Sequence, residues 1–116
     1  MNTSQLSREV TQLHADLCSG LADPKRLLLL YSLSERPRTV NDLASELGLT
    51  QPATSRHLKV LRDRGLVNAT RHGAHVEYSL DDHRLIEALD LLRTVLHDSV
   101  TRRANLIIHD LSVETG

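Results

Sequence analysis

The sequence predicts a mainly helical α+β fold, in which two short helices joined by a tight turn are followed by a β-hairpin and flanked by long helices. Apolar residues recur every three or four positions in most of the chain, which is the period of an α-helix. Gly48 interrupts this pattern between two short segments, and apolar and polar residues alternate between residues 66 and 80. The 116 residues, of which 40% are hydrophobic and 25% charged, fit one domain over residues 1–116.

Amphipathic helices are predicted at both ends of the chain. In residues 4–17 an apolar stripe is formed by Leu6, Val10, Leu13 and Leu17. Residues 82–110 contain no proline or glycine, and a second leucine-rich stripe follows them. A helix of that length measures about 43 Å, which is more than a domain of this size can cover by itself. We therefore expect both segments to be dimerisation helices that pack against another chain.

A helix–turn–helix unit is predicted over residues 39–64. It follows a leucine-rich buried helix that begins at Asp23-Pro24, where the carboxylate caps the first turn, and that runs to about residue 33. Thr39 caps the next short helix, which ends at Gly48. Thr50 caps a further helix that continues to about residue 64. The spacing is typical of a supporting helix followed by a recognition helix.

Residues 66–80 complete the unit as a two-stranded hairpin, with Gly73 in its turn. A basic hairpin after such a unit is typical of a winged helix-turn-helix, in which the hairpin is the wing. The predicted fold class is therefore a winged helix-turn-helix with a two-stranded wing and long N- and C-terminal dimerisation helices.

The distribution of charge indicates an anionic partner, although the net charge of the whole chain is −1. Residues 50–79 carry a net charge of +3, whereas residues 1–49 carry −1 and residues 80–116 carry −3. A basic centre between acidic ends favours one face that binds an anion. Because recognition helices enter the major groove of DNA, double-stranded DNA is the predicted partner.

The candidate DNA-binding residues lie on the second helix and at the tip of the wing. We expect base edges to be read by Gln51, Thr54, Ser55, Arg56 and His57. We expect phosphates to be contacted by Lys59, Arg62, Arg71 and His72, with Arg64 a further candidate. The alternatives are that these side chains form the solvated face of a surface helix, or that the same face binds a protein rather than DNA.

Four segments of the sequence are LADPKRL from Leu21, VNDLA from Val40, QPATSRHLKVL from Gln51 and GLV from Gly65. Together they resemble the ArsR/SmtB family of bacterial winged-helix repressors, with the family's spacing from about residue 18 to residue 80. The resemblance implies a homodimer that binds a palindromic operator and leaves it when a metal, an oxidant or another inducer changes its geometry. It also places Ser55, Arg56 and His57 on the family's recognition-helix signature.

The resemblance does not identify the inducer. Thr39 and Asn41 occupy the positions of the family's Cys-x-Cys metal ligands, and neither supplies a thiolate. Tyr31 occupies the position of a cysteine found in members that sense sulfur or oxidants, and the last helix contains no cysteine. We expect Cys18 to be an inert packed thiol, with an exposed reactive or intersubunit thiol as the alternative.

A third family site, on the last helix, is matched in part by Asp81, His83 and His97, whereas Thr94 stands where an imidazole is expected. His83 and His97 are about 21 Å apart along one helix, so they cannot share an ion within a chain. Antiparallel pairing in a dimer would bring them together, and zinc at the dimer interface is the one candidate cofactor. The alternative is that they are ordinary surface histidines and that Asp81 or Asp82 caps the helix.

Other classes of protein are disfavoured. Phe and Trp are absent, so stacking platforms for single-stranded nucleic acid or sugars are lacking. An enzyme is not predicted, because no nucleophile lies at catalytic spacing from a base and no glycine-rich phosphate loop is present. The longest apolar run is far shorter than the ~20 residues that cross a bilayer. The single cysteine and the lack of a secretory-type leader favour the cytoplasm.

Overall fold

The structure is a computed structural model that describes residues 2–115, with side chains described up to residue 109. It forms two compact units, the first ending at His83 and the second beginning at Arg84. Among the residues described, the first unit contains four α-helices, a short π-helix and a small β-sheet, and the second unit is one long helix. An α+β winged helix-turn-helix fold is thereby confirmed.

The first helix, α1, spans Thr3–Leu13 and begins where the Asn2 side chain accepts a hydrogen bond from the backbone N–H of Gln5. The predicted helix over residues 4–17 is not continuous α-helix, because a π-helical segment follows over His14–Cys18. Periodicity of apolar residues did not reveal this segment, since one extra residue in a turn changes the stripe little. The apolar side chains of α1 are about half exposed, at 50% for Leu6 and 51% for Val10.

The helix–turn–helix unit has the predicted arrangement. Helix α2 spans Pro24–Glu35, α3 spans Val40–Leu47 and α4 spans Gln51–Asp63. The hydroxyl groups of Thr39 and Thr50 each accept a backbone N–H at the start of α3 and α4. Gly48 ends α3 in the left-handed conformation, with φ of 66°, which costs glycine little and other residues more. Its turn fixes the direction in which α4 leaves α3.

The sheet has three strands rather than the two that the sequence predicts. Strands β2, Val67–His72, and β3, His75–Leu80, form the antiparallel wing, and β1, Arg38–Thr39, pairs with the other edge of β3. In this register Arg38 lies opposite Tyr78. A two-residue strand next to a proline is too short for apolar alternation to predict it. The extra strand fixes the wing to the residues just before α3.

The core of the first unit is aliphatic. Its fully buried side chains come from α2, α3, α4 and β2, and they are Leu29, Leu30, Leu33, Leu43, Leu58, Leu61 and Val67. Burial of one leucine contributes about 1.5–3 kcal/mol, so this cluster accounts for much of the stability of the unit. Because α4 buries two of these leucines, its opposite face is held outward.

One buried charge connects the elements around the wing. Arg38 is 6% exposed, and its guanidinium donates to Glu35 at 2.6 Å and pairs with Glu46 of α3. Glu46 also accepts a hydrogen bond from the Ser32 hydroxyl of α2 at 3.0 Å. The network therefore ties α2, α3 and β1 together by charge-assisted hydrogen bonds.

The second unit is α5, Arg84–Thr115. It begins two residues after the predicted start at 82 and continues beyond the predicted end at 110. Its apolar stripe is exposed, with Leu92 at 63%, Leu96 at 64% and Val100 at 54%. None of the described helices combines the length and the apolar character needed to cross a membrane.

Candidate nucleic-acid interface

Helix α4 presents a polar face to solvent because its other face is buried. The buried stripe consists of Thr54, Leu58 and Leu61, which are spaced at four and three residues. The predicted contact residues Gln51, Ser55, Arg56, Lys59 and Arg62 are all exposed. The residues at 51, 55, 59 and 62 follow each other along one side of the helix, and Arg56 lies one step around it. This side can meet the edges of bases, while the stripe anchors the helix.

The prediction that Thr54 reads bases is wrong. Its side chain is completely buried, and its hydroxyl donates to the backbone carbonyl of Thr50 at 2.8 Å. The signal was present in the sequence, since Thr54 lies four residues before Leu58 and seven before Leu61. A threonine on such a stripe packs through its methyl group and satisfies its hydroxyl on the preceding turn.

His57 is half-buried and turned toward α2 rather than toward the exposed face. Its Nδ1 atom lies 3.4 Å from a guanidinium nitrogen of Arg26. Arg26 also donates to the backbone carbonyl groups of Gly20 at 2.6 Å and Ser19 at 3.3 Å. This contact connects α4 to α2 and to the segment before it, and the reading of bases by His57 stays a prediction.

Asp23 lies in the same neighbourhood, at the start of α2. Its carboxylate accepts the backbone N–H of Lys25 at 2.8 Å, and this hydrogen bond is the main cause that lowers the pKa of Asp23 below its ordinary value of 3.8. The charges of His57 and Arg26 lower this pKa further, whereas desolvation opposes them. Asp23 is therefore a charged helix cap, as the sequence predicts.

The wing brings two of the predicted contacts together. Arg71 and His72 are exposed at its tip, next to Gly73, whose φ is 62°. A groove of about 560 Å³ lies between the wing tip and the N-terminal ends of α3 and α4, and both His72 and Gln51 line it. His75 lines the same groove, although its sequence position gave no reason to single it out. The His72 ring also lies 3.8 Å from the Glu77 carboxylate.

A second groove, of about 400 Å³, lies between α4 and β3. We call it the α4–β3 groove, and it is lined by Ser55, Lys59, Arg62, Asp63 and Tyr78. Lys59 donates to the Asp63 carboxylate at 2.9 Å, so a predicted phosphate contact is already paired with an acid. Sequence reasoning missed Tyr78, because only the register of the wing brings it beside α4. The two grooves flank the polar face of α4 with hydrogen-bond donors.

The C-terminal end of α4 contacts the N-terminal part of the chain. The guanidinium of Arg64 donates to the backbone carbonyl of Ala15, in the π-helical segment, at 2.8 Å. Arg64 is therefore engaged within the protein, which makes it a weaker candidate for a phosphate contact than Arg62. Cys18 ends the same π-helical segment and is exposed, so the expectation of a packed thiol is wrong.

The candidate zinc ligands do not form a site within one chain. The described residues include no group of three or more His, Cys, Asp or Glu side chains that could hold a metal ion. Asp81 accepts a hydrogen bond from Asn68 at 3.1 Å, His83 is exposed just before α5, and the His97 ring lies 3.6 Å from Asp98. Asp81, His83 and His97 are one ligand fewer than the four that close a structural zinc site, so these residues fit zinc only in part. The intersubunit site remains a prediction.

Comparisons with known proteins agree with this geometry. The family model described as bacterial regulatory protein, arsR family, matches residues 23–69. The transcriptional regulator CmtR of Mycobacterium tuberculosis is 43% identical over 83 residues, which cover 71% of this chain and 70% of CmtR. The chain belongs to the ArsR family. The matched residues include the whole helix–turn–helix unit.

Two further proteins are similar to this chain. The transcriptional repressor SmtB of M. tuberculosis is 38% identical over 78 residues, which are 67% of this chain but only 58% of SmtB. The crystal structure of M. tuberculosis Rv0081 superposes with a TM-score of 0.73 at 35% identity, covering 82% of this chain and 96% of that one. The sequence-based assignment to the ArsR/SmtB family is thereby confirmed.

Proposed function

We propose that this ArsR-family chain is a homodimeric repressor of transcription that binds a palindromic DNA operator through α4 and the wing. The observation that carries the proposal is the exposed polar and basic face of α4, opposite a fully buried stripe in the same helix. The names of SmtB and CmtR, a repressor and a regulator of transcription, support it. Since a bacterial operator lies on the chromosome, the protein acts in the cytoplasm.

The dimer is proposed from the exposed apolar stripes. Leu6 and Val10 of α1 and Leu92 and Leu96 of α5 leave large side chains in water, which is costly unless another surface covers them. In this proposal α1 and α5 are the dimerisation helices of a single domain. Two identical recognition helices then require two half-sites about 10 bp apart, or a multiple of that distance.

The contact residues follow from the exposed face. Gln51, Ser55 and Arg56 lie closest to the N-terminal end of α4 and read base edges. The side chains that bind phosphates lie farther along α4 and at the wing tip, and they are Lys59, Arg62, Arg71 and His72. Thr54 and His57 hold α4 in place.

Paired substitutions test this assignment on an operator obtained by selection from random duplexes. In a mobility-shift titration, Arg56→Ala should weaken binding by more than about 1 kcal/mol, because it removes a base or phosphate contact. Thr54→Val keeps the buried shape and should leave DNA affinity within about three-fold, although it removes one hydrogen bond. Arg8→Ala, an exposed arginine of α1, is the matched control.

The outcomes separate the proposal from its alternatives. Unchanged affinity in Arg56→Ala would refute the assigned face. Absence of binding to any duplex at low salt would instead favour a module that binds protein. Repeating the titration with zinc, a chelator and peroxide would identify the inducer, and release by zinc that is lost in His97→Ala would establish the site on α5.

A further inference from the structure

The α4–β3 groove has the chemistry of a site for a phosphodiester group. Tyr78 contributes a hydroxyl group, and Lys59 and Arg62 contribute positive charges, beside Ser55, which reads bases in the proposed function. Within the part of the chain that the structure describes, the side chains of Ser55, Arg62 and Tyr78 have no hydrogen-bond or ion-pair partner. Hydrogen-bond donors that converge without a partner favour an anion with several acceptor oxygens. The groove is open, so a continuous nucleic-acid backbone can enter it.

Asp63 is the exception in this groove, because an ionised carboxylate repels a phosphate. The presence of Asp63 at this position is not explained by a contribution to the stability of α4. Asp63 is the last residue of the helix, where a negative charge opposes the helix dipole. Its ion pair with Lys59 also has the lysine on the N-terminal side, which is the less favourable orientation at this spacing.

We propose that the α4–β3 groove binds a phosphodiester of the DNA backbone and that Asp63 restrains this contact by holding Lys59 in the free protein. The inference rests on the proposed function and adds to it a residue that lowers affinity for arbitrary DNA sequences. When DNA binds, Lys59 exchanges the Asp63 carboxylate for a phosphate. Asp63 must then be neutralised by a solution cation, which offsets the counterion that the phosphate releases.

The test measures binding to a labelled 30-bp duplex of arbitrary sequence, by fluorescence anisotropy over a series of salt concentrations. Asp63→Asn keeps the shape of the side chain and removes its charge. We expect this variant to bind DNA about three-fold or more tighter per subunit. The slope of log affinity against log salt should steepen by about 0.9 per subunit, since the contact of Lys59 with phosphate then gives a net release of one ion. Tyr78→Phe should weaken binding about two- to three-fold without changing the slope, because a neutral donor releases no ion.

Two controls separate the ion pair from general charge effects. Glu87→Gln makes the same change in net charge on an exposed carboxylate of α5, and it should leave affinity and slope unchanged. Lys59→Met combined with Asp63→Asn should abolish the steeper slope. Circular dichroism of each variant verifies that the helices are retained.

Each outcome is decisive. Wild-type affinity and slope in Asp63→Asn would overturn the restraint while leaving the proposed function intact. A gain that persists in the double variant, or that Glu87→Gln reproduces, would show an effect of net charge and would also overturn it. If the wild-type protein binds no duplex at low salt, the proposed function fails and this inference fails with it.

Discussion

Replacing Arg38 with methionine is expected to cost less stability than neutralising its two partners. The side chain of Arg38 is 7% exposed, whereas those of Glu35 and Glu46 are 69% and 39% exposed. Arg38→Met keeps an apolar side chain of similar length in the core, and water can solvate the two carboxylates that lose their partner. The free energy of unfolding should therefore fall by about 1–2 kcal/mol. Glu35→Gln combined with Glu46→Gln leaves a buried guanidinium without a counter-charge, and this should cost about 3 kcal/mol or more.

Urea denaturation at one fixed protomer concentration measures both losses of stability, because the stability of the proposed dimer depends on concentration. Glu9→Gln, at an exposed carboxylate of α1, controls for the removal of a surface charge. A cost for Arg38→Met equal to or greater than that of the double glutamine variant would refute the reasoning, because it would mean that the guanidinium itself contributes net stability. A double glutamine variant as stable as the wild type would refute it as well.

Two further predictions concern the caps and the dimer. The pKa of Asp23 is lowered in the folded state, so its contribution to stability is complete above about pH 3.8 and is lost as the pH falls through the folded value. Asn still caps a helix, so the midpoint of thermal unfolding of Asp23→Asn should fall less between pH 6 and pH 3 than that of the wild type. An equal fall in both proteins would contradict this prediction. Leu96→Asp should weaken the proposed dimer by about 2 kcal/mol or more in sedimentation experiments, because it places a charge on the apolar stripe. Retention of a full dimer would show that this stripe is not the interface.

The sequence was sufficient for features that depend on local chemistry. The caps at Thr39 and Thr50 and the turn at Gly48 were predicted correctly, because a hydroxyl or a missing side chain acts on its own segment of backbone. The segregation of the basic residues into the helix–turn–helix and wing was likewise visible in the sequence. These features were enough to position α4 and to predict an anionic partner for it.

Features that depend on contacts between distant residues were not predictable in this way. The contact of His57 with Arg26 joins residues 31 positions apart, so no local pattern predicts it. Tyr78 reaches the α4–β3 groove only through the register of β3 with β2 and β1. Thr54 is a different case, since its spacing from Leu58 predicts burial although its hydroxyl group is polar.

The number of cationic side chains on the exposed face sets an upper limit on how steeply DNA affinity can fall with increasing salt. At physiological ionic strength charges act over about 8 Å, so a net charge of −1 for the whole chain does not prevent a local cationic surface from binding phosphate. The exposed face has at most four Lys and Arg side chains per subunit that can neutralise phosphates, if Arg56 is counted with Lys59, Arg62 and Arg71. The eight of a proposed dimer correspond to a slope of log affinity against log salt of about −7. If Asp63 offsets Lys59 in each subunit, the wild-type slope falls to about −5. A measured slope steeper than about −7 would require phosphate contacts by cations outside α4 and the wing. The DNA interface would then extend beyond these two elements.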